Sequence, residues 1–181
     1  MKSFVLEIFD PVIDFYRIRS KSEKRILFFI PIIIGVMCFC VALFTTGNEK
    51  WDGYEFASDL VNQFITILTL FVSFSMAYLS IIVSSSSQNI DDLKNTIDEE
   101  RTASNGEEYS LYQILMAEIT YTLVFEIIFL IGCVFEKFLM SIIDWQSIRI
   151  MICIDVAFFV HVLLMMLVVI KNIYFSFWKS K

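Results

Sequence analysis

The sequence predicts an all-α, polytopic membrane protein with four transmembrane helices, an N-terminal amphipathic helix and both termini in the cytoplasm. Three observations carry that prediction. The chain of 181 residues is 57% hydrophobic, with 19 Phe and only 19% charged residues, whereas soluble domains are roughly 45–50% apolar. Its mean hydropathy is +0.71. The apolar residues gather in four stretches at approximately 26–46, 60–84, 111–135 and 148–171, each near the ~20 residues that cross a bilayer as a helix. Eleven Lys and Arg then fall on one side of those spans and three (Lys50, Lys137, Arg149) on the other, and cytoplasmic loops hold the excess of basic residues. Organisation follows: residues 1–25 form an amphipathic cytoplasmic or interfacial segment, and 26–181 form one four-span membrane domain with a cytoplasmic loop at 85–110.

The N-terminal segment repeats Phe4, Val5, Ile8, Phe9, Val12, Phe15 and Tyr16 at helical spacing, with Glu7, Asp10, Asp14, Arg17 and Lys21 on the other face. That pattern fits a helix lying in the interface or docking a partner, and equally a solvated lead-in to the first span. Pro11 interrupts it and favours a kink. No secretory signal is expected, because the segment before the apolar stretch is too long and no small-residue cleavage site follows. The first span contains Pro31 in its early turns. A polar loop follows, with Trp51 and Tyr54 as interfacial anchors.

The second span holds the most distinctive pattern. Asn62, Thr66, Thr69, Ser73, Ala77, Ser80 and Ser84 recur three or four residues apart, so they form one narrow small or polar seam along an apolar helix. Such a seam faces protein or water rather than lipid. Two uses fit: close packing against a neighbouring helix, or the lining of a pore built by several copies.

The loop at 85–110 opens on a serine run, a flexible exit or a site of phosphorylation, and is acidic thereafter. Ile90, Leu93 and Ile97 sit at helical spacing, which predicts a short helix, and Ala103-Ser104-Asn105-Gly106 reads as a turn. Ile90, Leu93, Ile97, Asp98, Glu99 and Glu100 are the candidate docking residues for a cytosolic protein.

The last two spans contain ionisable residues: Glu118 and Glu126 in the third, Asp155 and His161 in the fourth. Intramembrane charge is expensive, and such residues face other helices or water. Glu126 and His161 lie at similar depth on antiparallel spans and are candidates to pair. They serve either an ion or proton path, or hydrogen bonds that hold helices together. Glu118, nearer the cytoplasmic interface, is placed to reach water.

No catalytic constellation is visible. The single histidine lies inside a span, and no Gly-rich phosphate loop, HExxH or DxDxD pattern occurs. The reading is therefore non-enzymatic, with no catalytic residues, no cofactor and no metal. Cys38, Cys40, Cys133 and Cys153 all fall in apolar stretches and read as free thiols. The net charge of −6 argues against direct nucleic-acid binding.

Four spans in this length, an amphipathic N-terminus and the polar stretch Ser84-Ser85-Ser86-Ser87-Gln88-Asn89-Ile90-Asp91-Asp92-Leu93 resemble the small membrane subunit of the Kiwa antiphage defence system. The resemblance is one of size and layout over most of the chain, so no residue roles are carried over. It implies a multi-pass protein of the bacterial inner membrane, homo-oligomeric (a tetramer), which senses phage attack and passes the signal to a soluble cytoplasmic partner acting on phage DNA. The expected function is thus a sensor or scaffold that recruits or regulates a cytosolic effector. The alternative is an oligomeric channel or pore-forming effector that depolarises the membrane.

Overall fold

The computed structural model describes residues 9–44, 53–86, 88–102 and 108–178, without the side chains of 99–102 and 175–178. The element order is α1 (Asp10–Ile18), α2 (Lys21–Phe44), α3 (Gly53–Ser84), α4 (Gln88–Asn95), β1 (Ile97–Thr102), β2 (Glu108–Ser110), α5 (Leu111–Leu139) and α6 (Trp145–Trp178). Four helices, α2, α3, α5 and α6, are long and apolar enough to cross a bilayer. The protein is an all-α polytopic membrane protein, with one two-stranded hairpin outside its spans. Trp51, Ser87, the turn at Ala103–Gly106 and the basic tail Lys179–Lys181 lie outside the described residues.

The helices overrun the apolar stretches because local capping, not hydropathy, sets their ends. At the start of α2, Ser20 and Glu23 form a reciprocal capping box: the Glu23 N–H donates to Ser20 Oγ, and the Ser20 N–H to Glu23 Oε2, each at 3.2 Å. Lys21 to Arg25 therefore belong to the helix of the first span. Ser110 and Gln113 repeat the device at α5, at 2.9 and 3.2 Å. Asp144 opens α6 by accepting from the N–H groups of Gln146 and Ser147. Those bonds, together with one from the Ser147 hydroxyl, hold the Asp144 carboxyl below the usual carboxylate range. Each cap satisfies amide donors that a helix start otherwise leaves orphaned.

Pro11 does not kink α1. It sits in the first turn, where its missing N–H has no partner to lose. Pro31 has the opposite fate: with α2 beginning at Lys21 it lies well inside the helix.

The chain divides into two compact units. The first gathers Met1–Arg25, Ser73–Val124 and Met165–Lys181. Its core joins Ile82 of α3, Ile90 and Leu93 of α4, and Leu115 and Ile119 of α5, with Val169 and Ile173 of α6 packed against them. The second gathers Ile26–Val72 and Phe125–Leu164. There Phe64 of α3 meets Phe129 of α5 and Phe159 of α6, with ring centroids at 6.1 and 4.8 Å. Two glycines set close approaches in this unit. A Cβ on Gly35 would lie 3.0 Å from the Ala157 Cβ, so α2 and α6 run near contact. Gly53 begins α3 under the Trp145 ring, which a Cβ would strike at 2.3 Å. Trp145 is thus a packing residue.

The distribution of residues is inverted relative to a soluble fold. Phe44, Phe138 and Ile142 are among many large apolar side chains left exposed, while Arg19, Glu118, Glu126, Glu136, Asp155 and His161 are buried. Lipid supplies the missing apolar cover, and the charged groups turn inward because hydrocarbon excludes them.

Candidate functional site

The seam on α3 is the first candidate. Asn62, Thr66, Thr69, Ser73, Ala77, Ser80 and Ser84 are all exposed. The core side of the same helix carries Ala57, Val61, Phe64 and Leu68, which are buried. Helical spacing puts those four on roughly the opposite side from the seam. The seam therefore lies outside the buried cores of the described residues. Its hydroxyls turn back onto the helix that bears them: Thr66 donates to the Asn62 carbonyl (2.9 Å), Thr69 to Ile65 (2.7 Å), Ser80 to Met76 (2.9 Å) and Ser84 to Ser80 (2.6 Å). Such i−4 bonds satisfy the hydroxyls without another chain. What remains is a shallow, close-approach strip aimed outward.

The second candidate is an ionic centre in the first unit. Arg19 Nη2 donates to Glu118 Oε1 at 2.5 Å, and the Asn172 amide donates to Glu118 Oε2. Arg19 and Glu118 are 5% and 1% exposed, so Glu118 does not reach water as its position in the sequence predicts. The partner that keeps it inside is the Arg on the loop between α1 and α2. Around the pair, Phe15 stacks on Tyr121 with centroids 3.9 Å apart, and the Arg19 guanidinium lies 5.3 Å from the Phe15 ring centre. The amphipathic α1 is thus bound to α5 of its own chain through Phe15. Phe9, Ile13 and Tyr16 stay exposed and keep an apolar face for the interface.

His161 belongs to the second unit. Its Nδ1 lies 3.1 Å from the Leu27 carbonyl. That carbonyl is the acceptor that the residue at position 31 would normally engage, and Pro31 has no N–H to offer. A carbonyl only accepts, so Nδ1 carries the proton. The ring lies between Phe28 and Phe125, with centroids at 5.1 and 4.7 Å. Nδ1 is committed to the carbonyl left open by Pro31. Glu126 is fully buried in the same unit. Asp155, 8% exposed, lies against Glu136. Glu136 sits just beyond the apolar stretch at 111–135, and only the extra turn of α5 brings it inside.

The docking candidates separate. Ile90 and Leu93 are buried in the first unit's core against Leu115 and Ile119, so α4 is packed rather than presented. Ile97 does not continue that helix. It starts β1, opposite Ser110 of β2, and is exposed. Asp98, Glu99 and Glu100 follow it on the same strand. Ile97 is the exposed apolar residue of this segment, while α4 buries Ile90 and Leu93 and turns Asp91, Asp92 and Lys94 outward.

Cys133 and Cys153 are buried free thiols, whereas Cys40 faces outward. Among the described residues no three His, Cys, Asp or Glu side chains come together as a metal set. No family model, curated protein or solved structure matches this chain.

Proposed function

We propose that this protein is a non-enzymatic membrane scaffold that self-associates through the α3 seam and regulates a cytosolic effector through its hairpin. The observation that carries the reading is the outward direction of the whole seam. Small residues give no apolar gain against lipid, but they let a second helix approach closely and gain dispersion energy. The exposed Ile97, followed in the sequence by acidic Asp98, Glu99 and Glu100, offers a partner an apolar anchor in an acidic stretch. Layout resemblance adds the setting: a homo-oligomer, in tetrameric form, in a bacterial inner membrane, serving antiphage defence. The rival reading is a pore, which the same outward stripe of hydroxyls favours if the seams line a common axis.

One preparation tests both. Detergent-extracted protein is expected to run as a multiple of its 21.2 kDa protomer and to carry a cytosolic protein that is lost from Ile97→Ser with Asp98→Lys. A monomer, or a partner retained by that variant, removes the scaffold reading. Ion flux from the reconstituted oligomer that changes in Thr69→Leu transfers the seam to the pore reading.

A further inference from the structure

In the second unit a cavity of about 310 Å³ opens between α5 and α6. Its walls are apolar and aromatic: Phe129 and Phe158 meet edge to face at 5.8 Å, and Phe135 stands at the exposed rim. Two acids line the same space, Glu136 and Asp155. They are 4% and 8% exposed. Glu136 Oε1 and Asp155 Oδ2 are buried without a hydrogen-bond donor.

Two carboxyls side by side repel when both are charged, and a proton or a cation beside them removes the repulsion. Among the described residues, Lys137 and Arg149 are engaged elsewhere. Lys137 Nζ donates to the Ser58 carbonyl at 3.0 Å and to the Ser58 hydroxyl. The Arg149 guanidinium lies over the Trp145 ring at 5.6 Å. A calcium or magnesium ion needs about six or more oxygen ligands, and two acids among phenylalanines do not supply them. A primary ammonium fits better. It carries one positive charge and three N–H donors, and aromatic faces attract it. An apolar body attached to it fills the rest of the cavity.

From these features we propose that Glu136 and Asp155 form a binding site for a protonated primary amine on an apolar body, held with its ammonium on the two carboxyls and its body among Phe129, Phe135 and Phe158. The amine reaches the site either as a free lipophilic molecule or as the ethanolamine headgroup of a bilayer phospholipid. This site does not depend on self-association through the seam.

Gly132 makes the test clean. It lines the cavity, and a Cβ built there meets nothing within 4 Å, so Gly132→Leu starts its side chain from open space beside the site. The full chain is placed in nanodiscs of phosphatidylcholine and titrated calorimetrically with phenethylammonium and with neutral 2-phenylethanol. The expected result is binding of the amine at least ten-fold tighter than the alcohol. Asp155→Asn and Gly132→Leu each weaken it at least ten-fold, at unchanged helical content. A second arm uses discs containing phosphatidylethanolamine. Competition there, with retention of that lipid in native mass spectra of wild type but not of Gly132→Leu, assigns the site to the headgroup; absence of competition assigns it to a free amine. Equal binding of amine and alcohol, wild-type binding by a correctly folded Gly132→Leu, or failure of wild type to hold either amine overturns the proposal.

Discussion

Arg19 and Glu118 show what single side chains must do inside this protein. Each is desolvated, and each is held mainly by the other, with Glu23 also beside Arg19 and Asn172 beside Glu118. Removing one partner of such a pair costs about 3–5 kcal/mol, since the remaining charge stays buried, while replacing both with apolar residues of similar volume is often nearly neutral. Arg19→Met or Glu118→Leu alone is therefore expected to lower stability by about that amount, and the two together to recover much of the loss. Equilibrium unfolding in detergent micelles compares the wild type, Arg19→Met, Glu118→Leu and the double variant; strictly additive losses would exclude a coupled pair. The sequence shows the ionisable residues plainly but not their partners. Glu118 looks able to reach water because it lies near a span end, and nothing local connects it to an arginine 99 positions earlier. Glu136 is hidden for another reason: it falls just outside the apolar run that defines the span by eye.

Helix ends and helix faces differ in how far the sequence reveals them. The caps are local patterns, Ser20 with Glu23 and Ser110 with Gln113, and are readable without a structure. Hydropathy alone ignores them and makes α2 and α6 too short. The seam is readable too, because spacing defines a face. Its direction is not, because that depends on which side of α3 finds the core. The repair at Pro31 is the least readable, since it needs the register of two helices. It also gives a decisive measurement. His161→Phe leaves the Leu27 carbonyl without its donor, and a buried unsatisfied acceptor costs about 1–3 kcal/mol. In a Pro31→Ala background the restored backbone N–H can bond that carbonyl within α2, so His161→Phe is expected to cost clearly less there. A double-mutant cycle by thermal unfolding reads the difference, and the same penalty in both backgrounds would separate His161 from the proline.

At the scale of the molecule, the proposed assembly through the outward seam separates from folding. Ser73 and Ala77 are exposed and take no part in either core. Ser73→Leu with Ala77→Leu is expected to leave the protomer's melting temperature within about 2 °C, since surface changes away from special features stay within roughly 0.5 kcal/mol. The same double variant is expected to reduce the assembled mass to the protomer, measured by light scattering of the detergent complex; an unchanged mass would move the interface off α3. The all-α, four-span architecture follows from composition and the lengths of the apolar runs. The hairpin does not, because Ile97 continues a helical spacing that the chain abandons one residue earlier, at Thr96. The bond between His161 and Leu27 has a consequence in time as well as in space. Synthesis makes Leu27 134 residues before His161, an interval of roughly 7–27 s at about 5–20 residues per second. Throughout it, the first span waits in the bilayer with an unmatched backbone acceptor that only the last span can answer. A nascent chain arrested before α6 thus differs from a finished one within its first helix, not merely at its broken end.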